Sequence, residues 1–435
     1  MIRGRDEGPR RTASQVTRLN LIARAFLLVP SALSMRILHL STRLILGGSQ
    51  ENTVLSCEGQ TRAGHDVHLA FGSIYGPEGS LLDRVKAFRT DDGRGITTRV
   101  LPDMVRELSP WHDHFSFRQC RRLINELDPD IVHTHSSKAG VLGRWAGWKE
   151  GGAAGRRGVV HTIHGLPFHP YQSSWRHWVY VQSERFAAKR CHAIVTVCNA
   201  MRTQALAAGV GTPDLFTTVY SGMETEQFLN PGVTRAQARQ RLGIAPDDFI
   251  IGTVARLAEL KGHDDLLDAI GSTMRDRPQW KMLWVGDGWW RERLLGRVRD
   301  LGLEARVIAP GLVPPGEVPA LMGAMDVLVH PSYREGLPRT VPQALLSGVP
   351  VVAYDVDGAP EVCIEGQTGR LVAPGNRDAL REAIAWMADH PDQRSALAER
   401  GRALCRERFS VQRMIDDLQT LYERVLNRLP GRASR

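Results

Sequence analysis

The chain has 435 residues, 42% of them hydrophobic and 24% charged, which suits a globular protein with room for two or three domains. Its formal net charge of +9 is uneven: six arginines against Asp6 and Glu7 in residues 1–34 supply +4, leaving +5 for the other 401 residues. That remainder suits phosphate-bearing ligands or an anionic surface and is too dispersed for nucleic-acid binding. The six cysteines (Cys57, Cys120, Cys191, Cys198, Cys363 and Cys405) form no C-x-x-C pair, so they read as structural thiols of a reducing, cytoplasmic compartment rather than a disulfide framework or zinc site.

Residues 1–34 are arginine-rich and polar to Arg18, then apolar. The longest uncharged run, Ala25 to Met35, is too short to span a bilayer. Three readings stand for this extension: a start upstream of a working initiator at Met35, a membrane-surface helix, or a cleaved leader interrupted by Arg24.

From Met35 onward, short apolar runs alternate with amphipathic stretches, the pattern of βαβ units and a parallel sheet. Strands are expected at Arg36–Leu40, Asp66–Phe71, Asp130–Thr134, Gly158–Ile163, Ala193–Val197 and Phe216–Tyr220, with helices at Phe115–Leu127 and Trp175–Arg190 among them. The polar stretch Asn230–Asp248, with Pro231, Pro246 and a short helical pattern at Thr234–Leu242, marks a domain boundary near 225–245. A second series follows, with strands at Phe249–Val254, Lys281–Val285, Arg306–Ile308, Val327–His330 and Val351–Tyr354. The last helix, Val411–Arg428, is placed to cross back to the first domain. The expected fold is therefore α/β, two Rossmann-like doubly wound domains facing a cleft: residues 35–230, residues 231–410, and a returning segment 411–435. Ligands of such sheets bind at the carboxyl ends of the strands.

Three segments carry chemistry. The first strand runs into Gly47-Gly48, where paired glycines and a helix start let backbone amides approach a phosphate, although a plain turn has the same look. Arg256 and Lys261 occupy the loop leaving a buried strand, and an arginine fork beside a lysine point charge fits a diphosphate; two solvated loop cations are the bland alternative. In Glu335-Gly336-Leu337-Pro338-Arg339-Thr340, Pro338 suits a first helical turn. The free amides of Leu337, Arg339 and Thr340 then face an anion, and Glu335 is placed either to accept hydrogen bonds from sugar hydroxyls or merely to cap the helix.

Taken together with Asp130-Ile-Val-His-Thr-His135, His161-Thr-Ile-His164-Gly165, Val285-Gly286-Asp287-Gly288 and Gly366-Gln-Thr-Gly369, these segments resemble the retaining nucleotide-sugar glycosyltransferases of the GT-B fold, family four, over nearly all of residues 36–430. The resemblance implies that Arg256 and Lys261 bind the donor diphosphate with Gly47, Gly48, Gly336, Leu337, Arg339 and Thr340 around it. It implies that Glu335 contacts the transferred sugar and His164 lies near sugar and acceptor. It also implies a metal-independent reaction without a cofactor, a nucleotide-sugar donor, and a glycan, lipid-linked or small-molecule acceptor. The family's second glutamate, eight positions after the first, is here Gln343, which keeps an amide for the ribose diol but removes a charge. A nucleotide-sugar epimerase and a catalytically silent binding protein are the competing classes.

Other signals have bland readings. Asp128-Pro-Asp130 spells a metal-binding D-x-D but precedes a strand as a turn. His133, His135, His161 and His164 are spaced as in some metal hydrolases, without an evident carboxylate ligand. Phe168, Tyr171, Trp175 and Trp178, with Arg185, Lys189 and Arg190, combine aromatic and basic character; the aromatics are expected chiefly to face the core on a helix, contact with an anionic membrane surface being their other reading. Trp289 and Trp290 are expected chiefly to pack in the core, the wall of a nucleotide pocket being their other reading.

Overall fold

The computed structural model describes residues 34–74 and 79–430; the extension discussed above, apart from Ser34, lies outside the described residues. Its first half is a seven-stranded, all-parallel sheet of β1 (Arg36–Ser41), β2 (Asp66–Gly72), β3 (Thr97–Leu101), β4 (Ile131–His135), β5 (Gly158–Ile163), β6 (Ala193–Thr196) and β7 (Phe216–Thr218), in the order β3-β2-β1-β4-β5-β6-β7. The second half is a six-stranded parallel sheet of β8 (Phe249–Val254), β9 (Trp280–Val285), β10 (Val307–Gly311), β11 (Val327–His330), β12 (Val351–Tyr354) and β13 (Gly369–Val372), in the order β10-β9-β8-β11-β12-β13. The central strands are buried along their length and read as continuous apolar runs because helices cover both faces.

Each sheet winds outward in both directions from one switch point, between β1 and β4 in the first and between β8 and β11 in the second. The segments leaving those strands hold Gly47-Gly48, His135-Ser136, Arg256 to Lys261 and Pro331 to Glu335. The expected ligand crevices of the two sheets thus coincide with the segments singled out in the sequence.

The expected strands and helices form, with adjusted ends. The short helix within the polar linker is Arg235–Arg241, fixed by a capping box in which Thr234 and Gln237 satisfy each other's backbone amides. The final helix, Val411–Asn427, buries Met414, Ile415, Leu418, Leu421, Tyr422, Val425 and Leu426 on one face. That stripe completes a core with Ile37, Ile131, Val160 and Val195 of the first sheet and Leu55 of the helix Gly48–Arg62, so the helix does cross back. Two strands of the sheets were not expected, β3 and β13, both at edges.

The halves touch directly. Glu361 reaches from the second to the start of the helix Asn199–Ala207, accepting from the Asn199 and Ala200 amides at 3.0 and 2.8 Å and from the Tyr220 hydroxyl at 2.8 Å. A carboxylate suits the positive end of that helix dipole. One apolar cluster runs continuously from Leu166, Phe168 and Met201 to Leu337 and Val341.

Candidate active site

Between the halves lies a cavity of about 430 Å³, walled by Gly48, Ser136, Ser137, His161, His164 and Glu184 on one side and by Glu335, Gly336, Leu337 and Arg339 on the other. Six of the expected site residues thus share one cavity: Gly48, His164, Glu335, Gly336, Leu337 and Arg339.

Glu335 follows β11 and sits in a cationic cradle. Lys261 Nζ is 2.6 Å from its Oε1 and His330 Nε2 is 3.1 Å from the same oxygen. Burial alone pushes a carboxyl up, but Lys261, helped by the His330 hydrogen bond, holds Glu335 well below the usual carboxylate range. Its backbone N–H donates to Asp357 Oδ2 at 2.6 Å. The cradle depends on Gly262, whose φ of 72° and lack of a side chain let the Lys261 loop pack on Pro331; a Cβ there would lie 1.9 Å from the Pro331 carbonyl oxygen. Thr340 joins from the next helix, its hydroxyl 3.3 Å from His330 Nδ1.

Opposite Glu335 stands His164, just after β5. Burial, reinforced by Arg339, pushes its pKa down to about 3, so the ring is neutral. His164 Nε2 lies 3.0 Å from His135 Nδ1 and the two rings stack. Behind them His39, His133 and Tyr422 complete a buried polar group, since β1 and β4 pair His39 with His133 in register. His39, His133 and His135 place one nitrogen each within 4.8 Å of one another.

Arg339 was expected to contribute its backbone amide, yet its side chain also spans the cleft. Nη1 donates to the Gly222 carbonyl at 3.1 Å and Nη2 lies 3.0 Å from Glu51 Oε1, close enough for an ion pair though not aligned as a hydrogen bond. Its Cδ stands where a Gly48 side chain would project, at 2.8 Å. Arg256 is exposed and lies over the Trp289 ring at 5.6 Å rather than beside Glu335. Trp289 is 69% exposed, correcting the expectation of core packing for that residue; Trp290 does pack on the second core. Gly47 is extended at the start of the helix Gly48–Arg62, and the Gln343 side chain makes no hydrogen bond among the described residues.

The remaining motifs also have places. Asp128 ends its helix in the left-handed region and pairs with Arg157, while Asp130 accepts the Arg36 amide, so D-x-D is a turn. Trp175 and Trp178 are 61% and 64% exposed, correcting the core-facing expectation, whereas Phe168 is buried. All six cysteines are free and buried, and no described helix is long and apolar enough to cross a membrane.

His330, Asp357 and Glu184 were not anticipated. The signal for His330 was present, a polar residue ending an apolar strand five positions before Glu335; for Asp357 and Glu184 only the tertiary contacts reveal the role.

Two parallel sheets with both switch points opening on one shared cleft are the architecture of the GT-B fold. Residues 46–227 match the family Glycosyltransferase Family 4, and residues 234–404 match Glycosyl transferases group 1. The chain belongs to these glycosyltransferases. It is 25% identical over 398 residues, covering 90% of this chain and 98% of the relative, to the UDP-Gal:alpha-D-GlcNAc-diphosphoundecaprenol alpha-1,3-galactosyltransferase of Escherichia coli. It is 28% identical over 293 residues, 65% of this chain and 73% of the relative, to a GDP-mannose-dependent alpha-(1-6)-phosphatidylinositol monomannoside mannosyltransferase of Mycolicibacterium smegmatis. The crystal structure of Anabaena HepE in complex with UDP superposes with a TM-score of 0.74 at 23% identity, covering 90% of this chain and all of that one.

Proposed function

We propose that the chain transfers a sugar from a nucleoside-diphosphate sugar to a hydroxyl of a glycan, lipid-linked or small-molecule acceptor, with retention of anomeric configuration and without a metal ion. The observation that carries this reading is the carboxylate of Glu335, held ionised by Lys261 and His330 at the switch point of the second sheet and facing His164 across the shared cleft.

In this reading residues 231–410 bind the donor and residues 35–230 the acceptor. Arg256 and Lys261 neutralise the diphosphate, the Gly47-Gly48 turn approaches it from the first domain, and the amides around Gly336, Leu337, Arg339 and Thr340 face it. Glu335 accepts hydrogen bonds from the transferred sugar, His164 lies between sugar and acceptor, and Gln343 takes the ribose hydroxyls. The departing phosphate removes the acceptor proton on the face it leaves, so no enzyme nucleophile is required. Stabilising the charge on that phosphate is the principal catalytic effect.

UDP is favoured over GDP because HepE and the Escherichia coli relative are described with UDP or a UDP-sugar, although the mycobacterial relative uses GDP-mannose. The undecaprenol-linked substrate of the Escherichia coli relative, with the exposed Trp175 and Trp178 here, supports a lipid-linked acceptor and a cytoplasmic enzyme resting on an anionic inner membrane face.

The test is incubation of the protein with a panel of UDP- and GDP-sugars, with and without EDTA, reading nucleoside diphosphate release and the anomeric configuration of products by NMR. Release that survives EDTA, with retained configuration, supports the proposal. A donor epimerised without acceptor supports the epimerase reading instead, and a protein that binds donors without turning any over is the silent alternative.

A further inference from the structure

The buried polar group behind His164 has a direction. Gln60 Oε1 lies 2.7 Å from His39 Nε2. A carboxamide oxygen only accepts, so His39 carries its hydrogen on Nε2 and offers Nδ1 as acceptor. That Nδ1 is 2.8 Å from His135 Nε2, which therefore donates and leaves His135 Nδ1 bare. His164 Nε2, 3.0 Å away, must then donate to it. The deduction needs one hydrogen per ring, and burial supplies that condition by pushing His39, His135 and His164 all well below their ordinary value. The result is a His164 ring protonated on Nε2 with a bare Nδ1. That Nδ1 has no hydrogen-bond partner among the described residues, and its ring walls the cleft.

The other end of the chain is anchored on the crossing-back helix. Gln60 Nε2 donates to the Tyr422 hydroxyl at 3.1 Å, which passes its own hydrogen to His133 Nδ1 at 2.5 Å, and His133 Nε2 donates to Thr162 Oγ1 at 2.7 Å. Histidines and hydroxyls can each run in either sense by moving a proton, but the carboxamide has a fixed donor end and a fixed acceptor end. Turning the Gln60 amide over would reverse every hydrogen bond in the chain and place the hydrogen on His164 Nδ1.

We propose that Gln60, in the orientation that donates to Tyr422, fixes the tautomer of His164 through His39 and His135, so that His164 presents Nδ1 to the cleft as an acceptor for a substrate hydroxyl. Gln60, Tyr422, His39 and His135 are thus positioning residues; the part concerning substrate rests on the proposed function, the part concerning the tautomer does not. A metal ion shared by His39, His133 and His135 is the competing use of the same nitrogens. Distances oppose it: two nitrogens bound to one tetrahedral zinc at ~2.05 Å stand about 3.3 Å apart, whereas His39 and His135 are at hydrogen-bond separation, 2.8 Å.

The test is long-range proton–nitrogen NMR on histidine-labelled full chain near neutral pH, for the wild type, Gln60→Leu and Tyr422→Phe. Expected is a single Nε2–H tautomer of His164 in the wild type. Mixed tautomers are expected in Gln60→Leu and in Tyr422→Phe, which deletes one oxygen and serves should Gln60→Leu fail to fold. Nucleotide-sugar turnover, with UDP-glucose as the first probe, should fall with the Nε2–H fraction that NMR reads, about twofold for an even mixture. An Nδ1–H tautomer in the wild type, an unchanged His164 signature in both disrupting variants, or stoichiometric metal in the purified protein overturns the proposal. A tautomer that shifts while turnover does not would leave the lock intact and overturn the placing of His164 at the substrate.

Discussion

Replacing Gly336 by alanine tests whether the two halves must meet where the structure brings them together. A Cβ at Gly336 would lie 2.3 Å from the carbonyl oxygen of His164 and 3.1 Å from Met201 Cε. Ordinary contact begins near 3.4 Å, so the loop must withdraw by about 1 Å from a rigid backbone atom of the opposite half. Gly336 does not occupy the left-handed region, so alanine introduces no backbone strain of its own. The withdrawal carries Glu335 away from His164, and a 1 Å misplacement of reacting groups costs roughly a hundredfold, about 2.7 kcal/mol in barrier. We expect kcat/KM for nucleoside diphosphate release to fall about a hundredfold in Gly336→Ala while thermal unfolding stays cooperative, because one apolar cluster joins the two halves beside Gly336. Gly165→Ala is the control: it walls the same cavity with nothing within 4 Å of its would-be Cβ and should stay within about threefold of wild type. Turnover near the wild-type level in Gly336→Ala, or equal loss in Gly165→Ala, would refute the reasoning.

Other perturbations have equally definite outcomes. Lys261→Ala should keep its fold by circular dichroism and lose a hundredfold or more in turnover, as expected for removal of one preorganised charge contact; near-normal rates would remove Lys261 from the site. The sign of the pH effect follows from the depressed Glu335: its ion pair is fully formed above the ordinary carboxylate range and weakens as pH falls through the lowered value, so wild-type kcat/KM should show no Glu335 limb above pH ~4.5. Lys261→Met should move that limb upward into the measurable range, and an unmoved acid limb counts against the cradle. Arg144 and Glu184 form an ion pair, 2.7 Å long, with 0% and 3% side-chain exposure, so breaking it with Glu184→Ala should cost ~3–5 kcal/mol in urea unfolding, and a loss under 1 kcal/mol would contradict its buried state. Sedimentation with anionic vesicles should fall on Trp175→Ala/Trp178→Ala substitution; equal partitioning would dismiss the membrane contact.

Much of this architecture was legible because central parallel strands are buried on both faces and stand out as apolar runs. β3 was missed for the converse reason: Thr97-Thr-Arg-Val-Leu101 lies at a sheet edge with Thr97, Arg99 and Val100 exposed, so no apolar run marks it. β13 is likewise an edge strand, half covered, visible beforehand only as part of the Gly366 to Val372 motif. Within the site, Glu335 and Lys261 could be singled out because each lies in a loop leaving an apolar strand. His39 could not, since a lone histidine inside a strand reads as a satisfied core residue until pairing sets it beside His133.

Arg339 shows why the cleft itself was harder to read than its walls. As a sequence feature it offered an amide at a helix start; as a folded side chain it reaches Gly222 and Glu51, 117 positions and more away in the first half. Contacts of that kind depend on how two separately wound sheets face each other, and no local pattern encodes that. What does encode it is distributed: glycine at 336 permits the approach to His164, Glu361 caps a helix of the other half, and residues 411–427 fill the core behind β1 and β4. The helix that supplies Tyr422 to the histidine chain also supplies that core, so the end of the chain contributes both to the packing behind β1 and β4 and to the polar group behind His164.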